Sequence, residues 1–448
     1  MHRADVRFAL VTLALGALTT RGPATLDEAI HLDRADAWAR GRAGLSTDPG
    51  ALWVPTRPVA GGLFYDAGEG LRAAAPPGLT LLALPLAAPL AWLADEPAGA
   101  VTSALGRPGP PEATLRPLRR DPRAVAFALV GPLAAALVVL FFLAAARALA
   151  LSPRARLLGA AALGLGSPLL SYAGTAWPQV PLAACFAYAL WRVVERDRRP
   201  GAPATGLGVA LALAVLLRAE SLLFAIPFGL ATYRTEHRWR RSPSRALARV
   251  VLPIAVSVAS LVALGLPDSG DGWGLAHLGL GVPGLLVSPD AGLFVHAPFV
   301  LLSWLGLPAL LRHPVLAPLA LVPPTALAVY GGWFDWSASL AYGPRFLVPL
   351  LPFFALPFAC GVERAPRAAL VATALGFAVA LPGALLLHAR IGEPAGFWDP
   401  TPLHAYAAAP AVDWMILDSP PLAAILFALA LAGLAWEWRA RERAKPVG

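Results

Sequence analysis

Two adjacent carboxylates, Asp27 and Glu28, stand in the stretch ATLDEAIHLDRA, directly after the first apolar run of a chain otherwise short of charge. A carboxylate held at a surface can accept the proton of an attacking hydroxyl. His31 and Asp33 follow close behind. Far along the chain, Arg345 sits in YGGWFDWSASLAYGPRFLVPLLPF with Trp333, Trp336 and Tyr342. A guanidinium can grip a phosphate bidentately, and aromatic faces can stack on a ring. Trp and Tyr are also ordinary anchors at a membrane boundary, and an arginine at a helix end is often a headgroup contact. Arg218 and Glu220 form another charged point, in LLRAES between two short apolar segments. Ionisable groups at such a break face protein or a water-filled cavity rather than lipid. A salt bridge that only staples the break is the plainer reading of that pair. Tyr65 in LFYDAGEGLRAAAPPG, Gln179 in GTAWPQVP and Asp290 in GLLVSPDAGLFVHAPFVLL complete the candidate binding residues.

The elements that must position these residues are apolar. The chain has 448 residues, of which 57% are hydrophobic and 14% charged. Its mean hydropathy is +0.63. A soluble domain carries roughly 25% charged residues. Low charge combined with repeated apolar runs identifies an all-α, polytopic membrane protein. The net charge of +9 is almost all arginine; in a membrane protein it marks cytoplasmic loops, and no nucleic-acid partner is expected. Cys185 and Cys360 fall inside apolar segments and are read as small core residues, without a disulfide framework.

Candidate spans cover 6–20, 123–147, 155–173, 178–194, 204–217, 219–233, 247–266, 295–311, 314–331, 344–361, 367–388 and 419–437. The first is read as an uncleaved span rather than a secretory signal. The Arg-rich loops near 147–156, 195–200, 234–245, 312 and 363–367 fall on one side by parity, together with the basic tail 438–448. The positive-inside rule makes that side the cytoplasm. Parity holds only if the proline-containing stretch 76–94 does not cross but lies as an interfacial or re-entrant helix. RPLRRDPR (116–123) is basic yet outside in this arrangement; several loops outweigh one. The expectation is about twelve spans in a single integral-membrane domain, 1–448, in the cytoplasmic membrane. The first extracytoplasmic loop, 21–122, then carries the acidic motif and interfacial helices, with LDEAIHLDRADAWARG lying along the interface. The long polar segments 21–122, 267–294, 332–343 and 389–418 gather on the outer face, where a site can be built.

The chain resembles the GT-C superfamily of integral-membrane glycosyltransferases, in particular bacterial protein O-mannosyltransferases, aminoarabinose transferases and lipopolysaccharide-core transferases. The similarity rests on Leu26-Asp27-Glu28-Ala29-Ile30-His31 after the first span, where the family reads roughly Gly-Asp-Glu-Pro-His-Tyr. FYDAGEGLRAAAPPGLTLLALPL, SPLLSYAGTAWPQVPLA, GLLVSPDAGLFVHAPFVLL and YGGWFDWSASLAYGPRFLVPLLP follow in the expected order. Leu26 replaces the glycine, Ala29 the proline, and Gln179 stands where a glutamate is common. The resemblance implies transfer of a hexosyl or pentosyl group from a polyprenyl-phosphate sugar to an envelope lipid, glycan or protein outside the membrane. It implies Asp27 as catalytic base with Glu28 beside it, and Arg345 as phosphate contact. It demands no cofactor, although the carboxylates leave room for a divalent cation. Two other readings stand beside it. A transporter or flippase of lipid-linked sugars would carry charges deep in its spans, and the Arg218/Glu220 pair is almost alone there. An inactive GT-C-like envelope protein would be consistent with the altered acidic motif.

Overall fold

With 46 prolines and 41 glycines spread through apolar sequence, few helices can run unbroken. Each internal proline removes a backbone hydrogen bond and crowds the preceding turn. The computed structural model describes residues 3–20, 26–42, 64–66, 71–73, 76–94, 122–199, 201–263, 273–289, 291–334, 336 and 343–385. The expected span 419–437, the basic tail and most of the first and last outer segments lie outside the described residues.

The described chain is helical apart from one ribbon. It begins with α1 (Arg3–Leu18) and α2 (Leu26–Ala39), then β1 (Phe64–Asp66) paired antiparallel with β2 (Leu71–Ala73), then α3 (Gly78–Leu93). A central group follows: α4 (Pro122–Ala128), α5 (Val130–Ala148), α6 (Pro153–Gly164), α7 (Pro168–Ala173), α8 (Gln179–Arg198) and α9 (Thr205–Leu217). After a 3₁₀ segment, Ala219–Phe224, come α10 (Ala225–Arg238), α11 (Pro243–Ala263), α12 (Leu275–Val287) and three short helices, α13 (Leu293–His296), α14 (Val300–Ser303) and α15 (Leu307–Arg312). The 3₁₀ segment Ala317–Leu321 leads into α16 (Val322–Gly331). The 3₁₀ segment Arg345–Leu350 leads into α17 (Leu351–Gly361), and α18 (Pro366–Leu385) closes the described chain.

Each expected span up to 367–388 coincides with a helix or with helical pieces joined by a short turn. Four stretches are long and apolar enough to cross a membrane on their own: Pro122–Ala148, Pro243–Ala263, Arg345–Arg364 and Pro366–Ala384. The shorter apolar helices include α3, α9 and α12. The protein is therefore a polytopic helical membrane protein.

Helix α8 is its axis. It packs most closely on α5 and also touches α9, α10, α17 and the 345–350 segment. Phe186 of α8 meets Phe224, Phe228 and Phe353 with ring centroids 5.5, 6.4 and 6.0 Å away. Lipid tails are as apolar as leucine, so such helices associate through close packing. Gly306 shows how close: a Cβ there would collide with the Pro357 carbonyl oxygen. Cys185 and Cys360 are both free thiols.

Polar contacts tie the helix ends together at one end of the bundle. Asp5 pairs with Arg147, Ser152 bonds Glu363, and Arg196 pairs with Glu236. Asp197 takes two hydrogen bonds of 3.1 Å from Arg238 and lies 3.7 Å from His313. Gln179 opens α8 and Asp197 nearly closes it. At 1.5 Å per residue, these two positions are about 27 Å apart.

Three features depart from the sequence reading. Helix α2 does not present a polar face along an interface: every residue from Ile30 to Ala37 is buried, including Asp33, Arg34 and Asp36. It packs on α3 and α4, and a long-range ion pair with Arg123 meets the Asp36 charge. Helix α12 occupies part of an expected outer segment, because LAHLGLGVPGLLV carries enough apolar residues to be helical despite its glycines and Pro283. The β1–β2 ribbon, with Tyr65 opposite Arg72, adds a strand pair to a fold expected to be all-α. Helix α3 is helical through Pro85 and Pro89, and at 16 residues it is shorter than a span of roughly 20 residues.

Candidate active site

Three sequence candidates converge at the end of the bundle opposite Asp197. Gln179 is the first residue of α8, after Trp177 and Pro178, and is fully buried. Arg218 caps α9 in an extended conformation, φ −153° and ψ 116°, before the chain re-enters a 3₁₀ turn. Arg345 opens the 345–350 segment after Pro344. With its amide oxygen turned toward the two guanidiniums, Gln179 accepts from Arg345 Nε at 2.9 Å and from Arg218 Nη1 at 3.2 Å. The opposite amide orientation would set its NH2 against those donors, so the network selects this one. Two cations from distant parts of the chain thus share one neutral acceptor.

Aromatic rings line both arginines. The Arg345 guanidinium lies 4.0 Å from the Trp177 ring centroid. Arg218 faces Phe346 at 5.1 Å and Tyr330 at 5.7 Å, and those two rings stack 10° from parallel. Cation–π contacts of this kind contribute about 0.5–2 kcal/mol each. Glu220 completes the group by pairing with Arg218. The salt bridge at the break therefore exists, and its arginine also serves a second contact. Both partners are partly exposed, at 22% and 27% of their side chains, so the ion pair itself contributes little.

The acidic helix is docked against this cluster through α3. His31 Nδ1 lies 3.0 Å from Thr80 Oγ1. Two residues earlier, Gly78 abuts the backbone just before Arg218: a Cβ there would come within 2.5 Å of Leu216 C and Leu217 N. Asp27 and Glu28 occupy the first turn of α2, with Asp27 one turn ahead of His31. Asp36 fixes the other end of α2. It accepts from Arg123 Nη1 at 2.9 Å and from Arg40 Nε at 3.1 Å, and Arg40 also bonds the carbonyls of Ala91 and Ala94 at the end of α3.

Burial holds the His31 imidazole well below its ordinary value of 6.5, and the neighbouring Arg34 charge adds to the effect. His31 is therefore neutral in the folded protein, while in the unfolded chain it protonates as pH falls below that value. The unfolded state then binds more protons, so stability falls on acidification. Thermal unfolding in detergent should show a midpoint that drops between about pH 7 and pH 5. His31→Gln should flatten that slope by at most about 1.4 kcal/mol per pH unit. An unchanged slope would show that His31 is not a source of it.

Other candidates fall elsewhere. Trp333 bridges Trp273 and lies 5.9 Å from Phe334, joining α16 to the start of α12. Trp336 packs against Gly284 of α12. Tyr65 sits in β1. Asp290 and Tyr342 lie outside the described residues, as do the side chains of Asp27, Glu28 and Tyr65. Among the described residues, no group of three His, Cys, Asp or Glu side chains is placed to hold a metal ion.

Sequence reasoning did not single out Tyr330 and Phe346 as walls of the site, or His296. Phe346 directly follows Arg345, which was a usable signal. His296 is buried, its Nδ1 lies 3.0 Å from the Gly292 carbonyl oxygen, and its ring rests on Gly343. Gly343 has φ +69°, a left-handed conformation that suits glycine, and its carbonyl accepts the Arg345 N–H at 2.8 Å. The turn that delivers Arg345 is therefore braced from α13.

No family model and no curated relative matches the chain. Among solved structures it is similar to the crystal structure of ArnT from Cupriavidus metallidurans bound to undecaprenyl phosphate, at 16% identity and a TM-score of 0.45. The match covers 82% of this chain and 60% of that one, so the chain spans less than two thirds of that protein's length.

Proposed function

We propose that this chain is a membrane glycosyltransferase that moves a sugar from a polyprenyl-phosphate donor to an acceptor on the extracytoplasmic face of the cytoplasmic membrane. The observation that carries this reading is the convergence of Arg218 and Arg345 on Gln179, at the bundle end where the acidic helix is docked. Guanidiniums that share an uncharged acceptor at a helix mouth suit an anionic ligand with several oxygens, such as a lipid phosphate.

In the reaction, the acceptor hydroxyl oxygen bonds to the anomeric carbon while the bond from that carbon to the phosphate oxygen breaks. Asp27 takes the hydroxyl proton. The phosphate leaves with the bonding electron pair, and Arg345 and Arg218 offset the charge that grows on it. Trp177 and Phe346 keep the arginines oriented while the ligand binds. The docking of α2 through Thr80 and Gly78 supports a base close to the phosphate site.

The test is mass spectrometry of envelope glycans, lipids and glycoproteins from a strain lacking this chain. One sugar should disappear from one acceptor class and return with the wild-type gene but not with Arg345→Ala. An unchanged envelope in the deletion strain would overturn the proposal.

A further inference from the structure

Resting on the anion-binding reading above, we infer that Gln179 is a positioning residue whose lack of charge sets the affinity of the arginine pair for its anion. Gln179 is fully buried and accepts from both guanidiniums, at 2.9 and 3.2 Å. A carboxylate of the same length would hold the two arginines more strongly, because charge-assisted hydrogen bonds are roughly twice as strong as neutral ones. It would also cancel one positive charge beside the ligand, where Glu220 already faces Arg218. The amide does the first job without the second. It orients two cations and leaves their field for the incoming anion. Rigidity and anion affinity are therefore set separately at this position, and adding a charge without removing the hydrogen bonds should lower affinity but not rigidity.

The experiment uses the full chain in nanodiscs at fixed ionic strength, as wild type, Gln179→Glu and Gln179→Ala. Two probes are titrated, undecaprenyl phosphate and inorganic pyrophosphate, and the unliganded thermal midpoint is measured for each variant. An added negative charge ~6 Å from the ligand, at an effective dielectric near 20, weakens binding by about tenfold or more. Gln179→Glu should therefore bind both probes at least about tenfold more weakly, with a midpoint equal to or above wild type. Gln179→Ala should have a lower midpoint and a smaller loss of affinity. Two results overturn the inference: wild-type affinity in Gln179→Glu, or affinity and midpoint falling together in that variant. If the wild type takes pyrophosphate but not the lipid, the polyprenyl reading fails, and pyrophosphate affinities decide the role of Gln179. If it takes neither, both fall.

Discussion

Asp27→Asn should abolish sugar transfer while leaving the protein folded. A positioned general base typically contributes 10²–10⁴-fold, on the order of 3–5 kcal/mol of barrier, and asparagine cannot accept the proton. The structural cost should be small. Asp27 lies in the first turn of α2, where a carboxylate gains only about 0.3–1 kcal/mol from the helix dipole. Among the described residues, hydrogen bonds of His31, Asp36, Ala39 and Arg40 dock α2. Purified variant and wild type should therefore share a thermal midpoint within a few degrees, with kcat down at least about a hundredfold and donor affinity little changed. Full turnover in the variant would remove Asp27 from the mechanism and leave Glu28 to be tested as the base.

Asp36→Ala should be among the most destabilising substitutions in the molecule. Asp36 is 1% exposed and Arg123 3%. Removing one member of a buried ion pair leaves the other charge without its carboxylate and costs about 3–5 kcal/mol. Arg40 would lose its bond as well, although it keeps the Ala91 and Ala94 carbonyls. Thermal unfolding in detergent should show a large fall in midpoint. The double variant Asp36→Leu with Arg123→Met should recover most of it, because apolar groups of similar size often replace a buried pair at little cost. Activity should not return with stability to the same extent, since the pair also fixes how α2 meets α4. Unchanged stability in Asp36→Ala would show that other contacts carry the docking of α2.

The arginines, Gln179 and Glu220 were legible in the sequence because polar groups inside apolar runs have few reasons to be there other than pairing or function. The helical bundle was legible for the same cause, since long uncharged stretches admit almost one backbone solution in lipid. What could not be read depends on partners distant in the chain. Helix α2 looked amphipathic because the residue that neutralises Asp36 is Arg123, on a different helix and 87 positions away. Trp333 and Trp336 looked like neighbours of Arg345, but they pack toward α12, a helix hidden by its own glycines and proline. Tyr330 and Phe346 were not singled out, because only the path of the Arg218 break brings them under a guanidinium.

Helix α8 behaves as a ruler marked at both ends. Sliding it by one residue along its axis would carry Gln179 about 1.5 Å from the arginines. The same slip would pull Asp197 off Arg238 and His313. The register of α8 is therefore held at both ends, and a mismatch with membrane thickness is met more easily by tilting the bundle than by shearing the contacts of Gln179 with the two arginines. Such a protein can keep one arrangement of these side chains across lipid environments of different thickness.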